Sequence, residues 1–180
     1  MMNTFFWISY IVLWLLVVPL VLLNLVLFRQ LGIMVMGTAR GVNQSGIPVG
    51  RKLPDAVTTD LQGSSWSTSG LAGTAAILLF GSPTCKECAQ IIPDFTRIAK
   101  KHHVKPVLLL FSSAEHAASY ISTIGYEDEA VLVTSELARQ LDVQVTPYAY
   151  AVDGSGVIRH KGLVNSREQL EAYVKATIAS

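Results

Sequence analysis

No charged side chain occurs in the first 28 residues, and residues 5–28 (FFWISYIVLWLLVVPLVLLNLVLF) are apolar except for Ser9, Tyr10 and Asn24. As a helix this run rises about 36 Å, more than the roughly 30 Å of a hydrocarbon core, so it predicts one transmembrane helix behind a short tail at residues 1–4. A cleaved signal peptide needs a basic start, a shorter apolar core and a small-residue cleavage site. None is evident, and the run reads as a retained anchor. Pro19 and Asn24 are either tolerated irregularities in a single span or a kink and a helix-pairing position. Beyond the run the pattern loses its period. Residues 30–54 hold five glycines and two prolines, so residues 29–52 read as a juxtamembrane connector and residues 53–180 as the folded domain.

Within that domain the apolar period changes several times. Short strand-like pieces at residues 56–59 and 65–67 flank a turn at residues 61–64, which predicts a small hairpin. Residues 75–80 (AAILLF) form a continuous apolar run, as in a strand buried on both faces. Gly81-Ser82-Pro83-Thr84 breaks it, and residues 85–102 carry helical spacing through Ile91, Ile92, Phe95, Ile98 and Ala99. A second buried strand follows at 104–111, a helix at 114–124, a short strand at 130–133 and a short helix at 135–141. Residues 148–152 and 157–161 around Asp153-Gly154-Ser155-Gly156 predict a second hairpin. Residues 166–178 close the chain as a helix, with Ser166 as N-cap and Gln169 completing a capping box. Strands alternating with helices, then a hairpin and a last helix, describe a mixed α/β sheet covered on both faces.

Composition adds little to this picture except where it is uneven. Hydrophobic residues make up 51% of the 180, and the anchor concentrates that load. Net charge is +1, which carries no nucleic-acid signature. All 13 acidic residues lie at or after Asp55, whereas Arg29, Arg40, Arg51 and Lys52 precede it, so the domain from residue 53 is net −3 (10 basic, 13 acidic). By the positive-inside rule those four cations favour a cytoplasmic C-terminal side. Only Arg29 and Arg40 lie near the membrane, and large domains translocate largely regardless of charge.

The candidate chemistry lies in the only two cysteines, Cys85-Lys86-Glu87-Cys88. Their spacing puts both sulfurs on the first turn of a helix that follows a buried strand. There, free N–H groups and the positive end of the helix dipole favour a thiolate at Cys85, which can attack a disulfide, while Cys88 resolves the mixed disulfide. The same spacing also makes half a zinc site. The remaining ligands would have to come from His102, His103, His116 or His160, which match no usual zinc pattern. Pro147, after Val145-Thr146, either starts the following strand or adopts a cis bond beside the cysteine pair. Pro93 is expected to kink the helix.

A strand, Cys-x-x-Cys, Pro93 five residues on, then Thr146-Pro147 before a hairpin and a last helix resembles the thioredoxin superfamily over about residues 53–180. The anchor, Arg40-Gly41, Gly46-Ile47-Pro48-Val49-Gly50, the early hairpin and Ser82-Pro83-Thr84-Cys85 resemble its MauD branch, near the TlpA and ResA group. The resemblance implies a thioredoxin-like α/β fold behind a single transmembrane helix, with an extracytoplasmic domain. It implies exchange between Cys85–Cys88 and protein thiols or disulfides, with no cofactor besides that disulfide and no metal, and a membrane thiol redox partner. The substrate implied is a disulfide-rich or haem-containing partner undergoing maturation. Cys85 and Cys88 are then catalytic, Thr84, Thr146 and Pro147 bind substrate, and Glu87 is a candidate for proton transfer. Three departures stand out: Thr84 replaces the usual tryptophan, Leu79 occupies the place of the buried acid, and Lys86-Glu87 lies between the cysteines. Two other functions fit parts of the pattern. One is a copper- or metal-binding chaperone using the cysteines with a histidine such as His160. The other is a peroxiredoxin-like peroxide reductase, for which Ser82 supplies the hydroxyl three residues before Cys85 but Pro83 does not supply the accompanying proline.

Overall fold

The computed structural model describes the backbone of residues 2–178 and the side chains of residues 3–29 and 45–178. It divides into two units, residues 1–41 and 42–180. The first is a single helix, α1 (Met2–Gln44), which itself reaches a few residues into the second unit. Its segment Asn3–Arg29 is long and apolar enough to cross a membrane, and none of that segment is buried against protein. The helix continues over residues 29–44, where the sequence pattern indicates a connector. Adding a residue to an existing helix costs far less than nucleating one, and the intervening glycines each weaken it by only about 1 kcal/mol. It stops before Gly46, which lies at φ +84°, with Pro48 following.

The second unit begins with β1 (Val57–Thr59) and β2 (Ser65–Ser67), paired antiparallel as the early hairpin. Next come β3 (Ala76–Gly81), α2 (Lys86–Lys101), β4 (Lys105–Leu110) and α3 (Ala114–Ile124). The chain then runs through β5 (Glu129–Leu132), α4 (Ser135–Gln140), β6 (Tyr148–Val152), β7 (Ile158–Leu163) and α5 (Arg167–Ile178). The main sheet has the order β5-β4-β3-β6-β7, with β3, β4 and β5 parallel and β6 and β7 antiparallel to their neighbours. Each β3 residue is fully buried because the central strand is covered on both faces. On one face Ile77, Leu79 and Leu108 meet Phe95 and Ile98 of α2 and Leu170 and Val174 of α5. On the other, Leu78, Phe80 and Leu109 meet Trp66, Leu137, Leu141, Tyr148 and Tyr150.

The last helix starts as expected at Ser166, whose Oγ accepts from the Gln169 N–H at 3.3 Å. The return bond differs: Gln169 Oε1 accepts from Asn165 N at 2.7 Å rather than from Ser166, so the box is shifted by one residue.

The turn between β6 and β7 is built around Asp153, which is only 4% exposed. Burial alone raises the pKa of its carboxyl. Hydrogen bonds from Ser155, Val157 and Arg159 outweigh that effect and hold it at about 2. The folded value lies below that of an unfolded aspartate near 3.9, so the stabilisation is complete above about pH 4 and lost as pH falls through 2. Asp153→Asn is expected to cost about 2 kcal/mol at neutral pH. Urea unfolding should show that difference shrinking between pH 4 and 2; a difference independent of pH would contradict it.

Candidate functional site

The redox loop is positioned by β3. This strand ends at Gly81, and residues 82–84 turn the chain so that Cys85, in extended backbone (φ −86°, ψ 108°), becomes the N-cap of α2. Cys85 N donates to Ser82 O at 3.0 Å, and the Ser82 and Thr84 hydroxyls lie 3.0 Å apart. The two sulfurs are joined, Sγ to Sγ 2.06 Å, as the Cys85–Cys88 disulfide. Their environments differ. Cys85 is half-buried, whereas Cys88 is 0% exposed and sits in the apolar cluster with Leu79, Ile91 and Ile92. A Cβ added at Gly81 would lie 3.6 Å from Cys88 Cβ, so the inner cysteine packs directly on the end of β3.

Cys85 Sγ also accepts from Cys88 N at 3.1 Å. The sulfur thus takes the place of a capping oxygen at the positive end of the helix dipole. When the disulfide is reduced, the same N–H and dipole stabilise negative charge on the outer sulfur. Leu79, which stands where the superfamily carries a buried acid, is fully buried in the same apolar cluster as Cys88.

The proline loop reaches the same end of the sheet. Tyr148, the first residue of β6, pairs with Phe80 near the end of β3, so residues 145–147 and 82–85 leave the sheet together. The Thr146–Pro147 bond is cis. Pro147 is buried and Thr146 half-buried, and neither the N–H nor the C=O of Thr146 is engaged in a backbone hydrogen bond among the described residues. On the α3 side, Ser82, Pro83 and Thr84 form one wall of an open groove of about 710 Å³, with Phe111, His116 and Tyr120 across it.

The other sequence candidates are spread out. Thr84 and Glu87 are exposed, the latter on the first turn of α2. Pro93 lies inside α2, which continues through it to Lys101. His102 and His103 follow α2, His116 lies in α3, and His160 on β7 stacks on Tyr173 with ring centroids 4.1 Å apart. Ser82 Oγ is engaged with Thr84.

Sequence reasoning missed a strap beneath the proline loop. Ser45 O accepts from Tyr148 Oη and Lys161 Nζ, both at 2.8 Å, and Gly46 O accepts from Lys161 Nζ at 2.6 Å. Gly46 N donates to Asp142 Oδ2 and Ile47 N to Tyr150 Oη. Burial pushes the Tyr148 phenol well up and that of Tyr150 up to about 12, so both remain protonated donors. Desolvation lowers the Lys161 pKa, and the nearby Asp142 carboxylate opposes it. Among these residues only Gly46 and Ile47, in the run Gly46-Ile47-Pro48-Val49-Gly50, carried any sequence signal as part of the strap.

Residues 66–178 match the family model described as a thioredoxin-like domain. Methylamine utilization protein MauD of Paracoccus versutus is 30% identical over 178 residues, covering 96% of this chain and 89% of that protein. Thiol-disulfide oxidoreductase ResA of Bacillus cereus is 23% identical, covering 84% of this chain and 96% of its own. Among solved structures, a putative thiol:disulfide interchange protein DsbE from Chlorobium tepidum superposes with a TM-score of 0.66 at 18% identity. It covers 74% of this chain and 97% of that one. With a thioredoxin-like sheet, a Cys-x-x-Cys disulfide capping α2, and similarity to MauD along nearly its whole length, the chain belongs to the thioredoxin-like family, among the MauD proteins.

Proposed function

We propose that the protein is a membrane-tethered thiol–disulfide oxidoreductase whose Cys85 exchanges with protein thiols on the extracytoplasmic side. Its activity class is thiol–disulfide oxidoreduction; the roles of single residues, the side of the membrane and the partner are our reading. The observation that carries it is the asymmetry of the pair, with a reachable Cys85 at the helix N-terminus and a buried Cys88 one turn in.

In the reducing direction the Cys85 thiolate attacks one sulfur of a substrate disulfide. A mixed disulfide forms and one substrate thiolate leaves. The Cys88 thiolate then attacks Cys85 Sγ, the second substrate thiolate leaves, and the Cys85–Cys88 disulfide remains. Two electrons pass to the substrate, and the protons of the two cysteine thiols end on its sulfurs. The oxidising direction is the reverse. The unused N–H and C=O of Thr146 can pair with the backbone of the approaching chain, and Thr84 borders its path. Glu87, exposed in the first turn, is our candidate for exchanging protons with solvent. The MauD relatives are named for methylamine utilization. With them as guide, the substrate is a disulfide-rich or haem-containing protein under maturation, and a second membrane thiol protein resets the pair.

Cys88→Ser in the full-length protein, kept in native membranes, is expected to accumulate DTT-sensitive adducts joined through Cys85. Absence of any adduct, with Cys85→Ser indistinguishable from it on non-reducing gels, would contradict the proposal.

A further inference from the structure

In the first unit, α1 exposes every side chain of its apolar segment to its surroundings. Asn24 is the sole carboxamide between Asn3 and Arg29, and its side chain has no hydrogen-bond partner among the described residues. The indole of Trp7 and the phenol of Tyr10 suit one membrane–water interface, and the guanidinium of Arg29 suits the other. The rise from Tyr10 to Arg29 is about 28 Å, close to a hydrocarbon core, which puts Asn24 about 7 Å inside it. Lipid chains offer an amide nothing to bond, whereas a second amide accepts from one of its N–H groups and donates to its carbonyl oxygen.

Asn24 also falls on a regular stripe. Phe6, Tyr10, Leu13, Val17, Leu20, Asn24 and Leu27 follow one another at spacings of 4 and 3, the 3.5-residue period of two crossing helices. Leucine fills Leu13, Leu20 and Leu27 at one seam position. Val17 and Asn24 fill the other, the arrangement that favours two parallel strands, with a single asparagine setting register. Pro19 falls outside the stripe, so the irregularity it introduces does not interrupt the seam. Phe6 and Tyr10 stack at 6.4 Å and pave its N-terminal end.

We infer that this stripe is the pairing face for a second copy of the same chain, with the two Asn24 amides hydrogen-bonded to each other across a parallel helix pair. Copies inserted by one route share an orientation, which brings equal depths together. An antiparallel pair would not. The inference rests on the reading of α1 as a membrane span, not on the exchange chemistry.

The test uses the full-length chain with Cys85→Ser and Cys88→Ser, in native membranes, carrying one new cysteine at a time. Under mild oxidation, Leu13→Cys, Val17→Cys and Leu20→Cys are expected to give disulfide-linked homodimer. Leu15→Cys, Val18→Cys and Leu22→Cys, off the stripe, give several-fold less. Adding Asn24→Leu should weaken the seam crosslinks about threefold to tenfold, and Asn24→Gln should largely retain them. Equal crosslinking at all six positions, adducts only with other proteins, or no effect of Asn24→Leu overturns the inference. Extraction of the chain by alkaline carbonate overturns the membrane reading together with it, and Cys88→Ser trapping in the otherwise native chain reports on exchange independently.

Discussion

Cys85→Ser is expected to lower the rate of disulfide exchange with a model disulfide roughly a thousandfold or more, to the uncatalysed background. A hydroxyl at this position is not ionised near neutral pH and cannot attack sulfur, and no other described thiol can take over, since Cys88 is 0% exposed. Losing a nucleophile of this kind removes the covalent step itself, so the effect is far larger than that of removing a neighbour. Glu87→Gln provides the contrast. The carboxylate lies exposed on the first turn of α2, so its loss should alter the rate only about threefold or less. Stopped-flow measurement on the full-length protein compares the two. A Cys85→Ser protein retaining a tenth of the wild-type rate would contradict the assignment.

Gly46→Ala is expected to destabilise the second unit by about 3 kcal/mol, a fall of roughly 10 °C in Tm. Gly46 lies at φ +84°, where an L side chain is strained, and an added Cβ would come within 2.2 Å of Tyr148 Oη and 2.4 Å of Tyr150 Oη. Neither phenol can move freely. Tyr150 donates to Leu141 O at 2.7 Å, and both rings are packed in the core beneath β6. The strap must therefore lift, which breaks its bonds to Tyr148, Lys161 and Asp142. Tyr148 directly follows Pro147, so loss of the strap should also raise hydrogen exchange in β6. Differential scanning calorimetry of the full-length protein in detergent checks the first effect, and a Tm within 2 °C of wild type would contradict it.

The parts of the fold that depend on local pattern were legible in the sequence. The apolar run at 75–80 became β3, displaced by one residue, and the helical spacing of Ile91, Ile92, Phe95 and Ile98 became the buried face of α2. The residues 114–124 and 148–152 appear with the expected bounds. The start of the cysteine helix was legible to within one residue, because a Gly-Ser-Pro-Thr break after a buried strand leaves few places for a helix to begin. The pattern puts Cys85 in the first turn, and the structure makes it the N-cap with α2 starting at Lys86. The continuation of α1 over residues 29–44 was not, because weak periodicity and glycines lower helix propensity without forbidding a helix that is already nucleated. The strap was not legible for a different reason. Its strength lies in contacts between Ser45 or Gly46 and side chains about a hundred residues away, which no local pattern encodes. The lysine and tyrosines involved are individually unremarkable on a strand. Only folding turns Lys161 and Tyr148 toward the same carbonyl, that of Ser45.

The most direct test of Cys85 as the exchanging sulfur starts from the oxidised full-length protein mixed with a reduced synthetic peptide bearing one cysteine. The mixture is quenched in acid on the millisecond scale and digested for mass spectrometry. Attack at the reachable sulfur is expected to place the peptide on Cys85, with Cys88 as the free thiol, and the adduct should disappear as the Cys85–Cys88 disulfide re-forms. Peptide on Cys88, or an intact disulfide with no adduct under conditions in which the protein exchanges, would contradict it.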